Sequence, residues 1–349
     1  MKRIFIALGF TCWGLYLRTQ CLIHREWWVD EINQWNNTIG PLKPFWQRLP
    51  NGGLTCYPGD YLLTYPFVRV FGHNKWGVAI PHIIVTIIGF YFLYLICQRY
   101  LKTAWGTAMA FLIYCLNSEL IFHAFELRDY TVLATLGLAV FYCTQSIVCA
   151  KYTITPLNKL LTGLFFILTI LFHAYGIMIV GFCTIFSILT EWAVTPMPAI
   201  IRRTWKFYLA VGIIALPPWY WYATYNLGQK VHNINQPFDF IPNPAVNMAG
   251  FLKSIFGNLI GYKLLYPLLL GPLLALILPH ESRLKYMVFF AIMVVLPIYV
   301  LCMMDISMEY WFLQRQFVWV IALFSFFVAW GWEDVIFCLT NLKKTDKNH

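Results

Sequence analysis

Val78-Ala-Ile-Pro-His-Ile-Ile-Val-Thr-Ile-Ile-Gly-Phe-Tyr-Phe-Leu-Tyr-Leu-Ile-Cys97 runs from end to end without an Asp, Glu, Lys or Arg. At about 1.5 Å per residue, a helix of some 20 residues reaches roughly 30 Å, the thickness of a bilayer's hydrocarbon core. A stretch that is apolar on every face has no side to turn to water, so it reads as a membrane-spanning helix. Working outward, similar runs fall near 4–23, 104–122, 130–149, 157–173, 176–194, 207–226, 262–279, 286–304 and 316–338. Together they predict an all-α polytopic membrane protein of about ten transmembrane helices. The composition agrees, since 60% of the 349 residues are hydrophobic and 11% charged, more apolar surface than a water-soluble domain can hide.

A formal charge of +10 fits three settings: nucleic acid, an anionic membrane surface, or cytoplasmic loops. The position of the charges selects the loops. Under strict alternation of the runs, Lys2, Arg3, Arg99, Lys102, Lys151, Lys159, Arg202, Arg203, Lys206, Arg283, Lys285, Lys343, Lys344 and Lys347 share one side. The positive-inside rule makes that side cytoplasmic and puts both termini there. Most acids, including Glu26, Asp30, Glu31, Asp60, Glu119, Glu126 and Asp129, fall on the outer side. No nucleic-acid partner is expected, and membrane lipids are.

Residues 1–342 read as a single transmembrane domain with outer loops at 24–77 and 227–261, and residues 343–349 as a cytoplasmic basic tail. Within the first outer loop, Leu62 to Phe71 is apolar, too short to span and flanked by Gly and Pro, which suits an interfacial helix. The few residues around His173-Ala-Tyr-Gly176 predict a tight helical hairpin between the fifth and sixth runs. Cys97, Cys115, Cys143, Cys149 and Cys183 lie inside apolar runs without metal-ligand spacing and read as small core residues.

Chemistry has few places to sit. Trp27-Trp28-Val29-Asp30-Glu31 follows the first run and sets two adjacent carboxylates beside aromatic anchors. Read as structure, this is a solvated loop with interfacial tryptophans; read as function, one carboxylate is a general base for an acceptor hydroxyl. Glu126-Leu-Arg128-Asp-Tyr130 opens the fourth run with an arginine that opposes the helix dipole. Arg128 either pairs with Glu126 or Asp129 to anchor the helix end, or presents its planar fork to a phosphate. Arg315 opens the last run, either snorkelling or binding phosphate. Lys75 and His73 extend the same basic rim, and His173 adds an imidazole. Arg18, inside the first run, either snorkels or faces the interior.

The order of these features resembles the membrane-embedded glycosyltransferases of the C superfamily, in particular the bacterial branch near the protein mannosyltransferases and the aminoarabinose transferase acting on lipid A. The resemblance covers nearly the whole chain. It is carried by Arg18, Trp28-Val29-Asp30-Glu31, a Pro-containing interfacial helix from Pro58 to Gly72, Gly77 to His82, Glu126-Leu127-Arg128-Asp129-Tyr130, His173-Ala174-Tyr175 and Arg315. It implies an inverting transfer of a sugar from a polyprenyl-phosphate donor to a glycan, lipid or protein acceptor, at the outer face of a bacterial cytoplasmic membrane. Asp30 would be the base and Glu31 its helper. Arg128, Arg315 and Lys75 would hold the donor phosphate, and Glu126, Tyr130, His173, Asp60 and Tyr61 would line the substrate site. Many relatives carry a His or Lys where this chain reads Cys56-Tyr57-Pro58-Gly59-Asp60-Tyr61, so no base from that segment is expected. No metal site is assigned, because the acids lack ligand spacing, although their gathering in space could hold a divalent ion. The competing readings are a transporter or flippase for lipid-linked sugars, which favours midplane charges and internal repeats, and a polymerase of such sugars.

Overall fold

The structure is a computed structural model that describes residues 1–27, 31–32, 35–36, 38, 58–128, 130–173, 175–230, 244–308 and 317–345. Among these residues every regular element is a helix, with no strands. The α-helices are α1 (Lys2–His24), α2 (Pro58–Phe71), α3 (Lys75–Tyr100), α4 (Ala104–Leu116), α5 (Ser118–Phe122), α6 (Tyr130–Val148), α7 (Pro156–Phe172), α8 (Gly176–Trp192), α9 (Met197–Lys230) and α10 (Pro244–Ile260). A 3-10 helix, Lys263–Leu269, leads into α11 (Leu270–Ile277). The pair α12 (Arg283–Phe289) and α13 (Leu296–Met308) is joined by a π-helical stretch, Phe290–Val295, and α14 (Val318–Thr345) closes the fold.

Every apolar run read from the sequence lies on helix, but fewer helices qualify as spans. Among the described residues four are long and apolar enough to cross a membrane: Lys75–Tyr100, Tyr130–Val148, Arg283–Met304 and Val318–Thr340. A pair bent by 90°, Pro244–Leu259 with Lys263–Ile277, makes a fifth if counted as one broken span. The shortfall has plain causes. Helices α4, α7 and α8 have 13, 17 and 17 residues, and at about 1.5 Å per residue they fall short of a roughly 30 Å core. Helix α1 is long enough, but Arg18, Thr19 and Gln20 dilute its last third.

Helix starts follow local chemistry. The Asn74 side chain accepts from the backbone N–H groups of Trp76 and Gly77 at 2.9 and 3.0 Å and so caps α3. Thr103 caps α4 through Gly106 N–H, and Thr155 caps α7 ahead of Pro156. Asn117 accepts from Glu119 and Leu120 to start α5, while its amide donates to the carbonyls of Asn258 and Leu259, tying α5 to the end of α10.

The most enclosed helices are α6 and α14, whose apolar windows are 89% and 83% buried. They are apolar all round, the pattern of a central helix, and they pack on each other while α6 also meets α3, α7 and α8. Phe141, Phe186, Phe289, Phe326 and Trp330 form a ring-on-ring layer between them. Peripheral helices show large apolar side chains outside, among them Phe5, Leu8, Leu160, Ile213 and Ile277, a surface that suits lipid rather than water.

The predicted hairpin between α7 and α8 is present. A Cβ on Gly176 would stand 1.8 Å from the Thr169 carbonyl oxygen, so only glycine allows the turn to close this tightly. Its N–H donates to the His173 carbonyl at 2.8 Å. The interfacial segment forms α2, which begins four residues earlier than Leu62, at Pro58.

Candidate functional site

Arg25, one residue past α1, is the centre of an acidic cluster at one end of the bundle. Its guanidinium donates to both oxygens of Glu31 at 2.8 and 2.8 Å, the paired geometry in which arginine binds carboxylate best. The Glu31 carboxylate is 1% exposed and also accepts the backbone N–H of Leu127 at 3.0 Å. Burial pushes the Glu31 carboxyl above its ordinary range; Arg25 pulls it down and Glu126 pushes it up again. Lys75 donates to the Arg25 carbonyl at 2.7 Å, bracing the chain where it leaves α1.

Leu127 is fully buried against Val68 of α2 and Val78 of α3. This anchors residues 123–128 beneath the acidic motif. Within that loop, His123 is held between two carboxylates: Nδ1 bonds Glu126, and Nε2 lies 3.5 Å from Glu119. Burial lowers the affinity of the imidazole for its proton, but Glu126 and Glu119 more than offset this, and its pKa is raised from 6.5 to about 9. His123 is therefore an imidazolium at neutral pH. Its carbonyl accepts from Thr131 at 2.7 Å, and its ring meets Tyr130 edge-on at 5.5 Å.

A second buried pair lies alongside. His82 Nε2 and Asp60 Oδ1 are 3.0 Å apart with neither side chain exposed, and His82 Nδ1 bonds the Val78 carbonyl. The backbone of Arg128 lies against His82. Tyr61, beside Asp60, is fully buried. Gly59 sits against the ring of Phe172, which brings the start of α2 to the end of α7. There His173 Nδ1 accepts the Tyr175 N–H at 3.1 Å and the two rings lie 4.8 Å apart.

The structure thus brings Glu31, Glu126, Arg128, Tyr130, Asp60 and Lys75 to one end of the bundle. Asp30 and Arg315 lie outside the described residues. Glu126 pairs with His123, and Arg128 is buried. A small cavity opens inward between Arg18, Thr86, Tyr114, His123, Tyr130, Thr131 and Val318. Its ≈ 10 Å³ of room for water centres is about one water molecule, and Glu126, Arg128 and His173 do not line it. Arg18 faces the protein interior. It donates to the carbonyls of Gly14 and Tyr114 at 3.0 and 3.1 Å, with the Phe90 and Tyr114 rings 5.2 Å from its guanidinium. Among the described residues no group of three or more His, Cys, Asp and Glu side chains could hold a metal ion.

The sequence reading passed over Arg25 and His123. Arg25 had a signal, being the first fork-bearing cation next to an acidic pair at the end of an apolar run. His123 stands three residues before Glu126, a spacing at which side chains on one turn meet. Compared with known protein families, curated proteins and solved structures, the chain matches none.

Proposed function

We propose that this chain is a multi-pass inverting glycosyltransferase that moves a sugar from a polyprenyl-phosphate donor to a glycan, lipid or protein acceptor. In this reading residues 1–342 cross a bacterial cytoplasmic membrane about ten times, both termini are cytoplasmic, and the acidic end of the bundle is the outer face. The observation that carries it is the bridge from Arg25 through Glu31 to the Leu127 N–H. It couples the acidic motif after α1 to the arginine-bearing motif before α6, two segments with no reason in sequence to meet. The gathering of Arg3, Arg99, Lys102, Lys151 and Arg203 near the opposite helix ends supports the orientation.

In the proposed reaction Asp30 accepts the proton of an acceptor hydroxyl as its oxygen bonds to the anomeric carbon. The bond from that carbon to the donor phosphate oxygen breaks on the other side, and the electron pair leaves with the phosphate. The leaving phosphate needs no proton, so one carboxylate suffices. Glu31 is then a positioning residue, since Arg25 and Leu127 occupy its oxygens. Arg128 and Arg315 stabilise the charge growing on the phosphate, an effect worth several kcal/mol where water is excluded. Where the chain lacks a base between Cys56 and Tyr61, His82 reaches Asp60 from α3.

The test is transfer of a radiolabelled sugar from polyprenyl phosphate in membranes carrying wild type or Asp30→Asn. Loss of a general base predicts a fall of about 10²–10⁴ in rate. Equal transfer by the two proteins removes Asp30 from the mechanism.

A further inference from the structure

At the end of the bundle away from the acidic cluster lies a second hollow, with ≈ 330 Å³ of room for water centres. That volume is at the lower edge of the roughly 300–1,000 Å³ that holds a small ligand or a headgroup. Its wall combines the α6–α7 turn (Cys149, Ala150, Lys151, Tyr152), the end of α8 (Thr190, Glu191, Thr195) and Lys285 of α12, with Tyr100, Gln145 and Phe186 beneath. None of these residues takes part in the chemistry proposed above.

Lys151 of the α6–α7 turn and Lys285 of α12 both line this one hollow, and among the described residues neither has a carboxylate partner. The one acid in the lining is turned to other work: Glu191 Oε1 accepts the Ala150 N–H at 2.9 Å and the Thr195 hydroxyl at 2.7 Å. The turn bearing Lys151 is held in advance of any ligand. Arg203 donates to the Tyr152 carbonyl at 2.9 Å, and the guanidinium of Arg99 lies 4.2 Å from the centre of the Tyr152 ring. Arg99 itself donates to Tyr142 O and Ser146 Oγ, and its guanidinium adds positive potential beside the turn. The Lys151 ammonium sits 4.9 Å from the centre of the Tyr152 ring. A turn held in place and two cations against a single, already hydrogen-bonded carboxylate form a receptor for an anion with several acceptor oxygens, and pre-ordering lowers the cost of binding it.

We infer that this hollow binds a phosphate group carried on a small polar headgroup, gripped between Lys151 and Lys285. The phosphate is that of an anionic phospholipid, as basic pockets between spanning helices take, or of a soluble phosphate ester of the same size.

The experiment uses the full chain in detergent, titrated with phosphatidylglycerol, uncharged diacylglycerol, glycerol phosphate and inorganic phosphate. Bound ligand is read by native mass spectrometry and stabilisation by thermal unfolding. Phosphatidylglycerol is expected to bind the double variant Lys151→Ala with Lys285→Ala about thirtyfold more weakly than wild type. The pair Lys151→Arg with Lys285→Arg keeps binding within a few-fold, and it carries the test if the alanine pair does not fold. Binding of glycerol phosphate or inorganic phosphate with the same lysine dependence supports the site and identifies a soluble ligand as its source. Diacylglycerol binding as tightly as phosphatidylglycerol, or an alanine pair that keeps phosphatidylglycerol within twofold, overturns the proposal.

Discussion

The two ends of the helix bundle use charge in opposite ways. At one end carboxylates meet a guanidinium or imidazoles directly and largely out of water: Glu31 with Arg25, Asp60 with His82, and Glu126 and Glu119 with His123. At the other, cations mostly reach backbone carbonyls and rings. Arg3 donates to Leu101 O, Arg99 to Tyr142 O, Arg203 to Tyr152 O and Arg283 to Leu276 O, and Lys102 lies over Phe337. Of its acids, Glu333 accepts the N–H groups of Lys102 and Thr103 where α4 begins, while Asp334 lies 3.3 Å from His280. The basic end spends its charges on closing helix termini, as the helix dipole favours. The acidic end holds opposite charges together where desolvation is costly. Such an arrangement is weak evidence for stability and marks the end where function is to be sought.

The sharpest way to break this contrast is to remove Arg25. Arg25→Ala strands a buried carboxylate, and thermal or denaturant unfolding in micelles should record a loss of about 3–5 kcal/mol; a loss below about 1 kcal/mol would mean the pair is solvated. Replacing both partners (Arg25→Met with Glu31→Met) should return most of that stability and none of the sugar transfer. At the basic end, Glu333→Ala leaves two N–H groups and the Thr103 hydroxyl to find new partners, for about 1–3 kcal/mol. Transfer per folded molecule should stay at the wild-type level, and a parallel fall in transfer would erase the distinction between the ends.

A subtler effect is pH dependence. His123 binds its proton more tightly in the fold than its ordinary value of 6.5 allows, with a raised pKa of about 9. Its contribution to stability is therefore complete below pH 6.5 and lost as pH rises through about 9. The unfolding temperature of wild type should fall across that window more than that of His123→Gln, and superimposable profiles would show a neutral imidazole. Smallest of all, Lys151→Ala should change stability by no more than about 0.5 kcal/mol, as expected of an exposed side chain at the end built on backbone contacts.

The helices were legible in the sequence because each apolar run reports its own environment. The turn at Gly176 and the separation of acids from bases were legible for the same local reason. The breaks within the runs were not, since run length in sequence ignores caps: Asn117 stops α4 and starts α5 inside one apolar run. The site was legible only as a set of segments. Glu31 and Leu127 meet across 96 positions, a fact of helix packing that no local pattern encodes. Arg25 and His82 were visible as residues, but their partners were fixed by which helices touch.

Arg18 makes the order of synthesis matter. When α1 emerges, the Tyr114 carbonyl and the Phe90 ring that receive its guanidinium have not yet been translated. Folding of α1 therefore leaves the Arg18 guanidinium without these two partners until α3 and α4 have been made. Gly14, whose missing side chain lets Phe90 and Cys115 approach, is where that late docking closes.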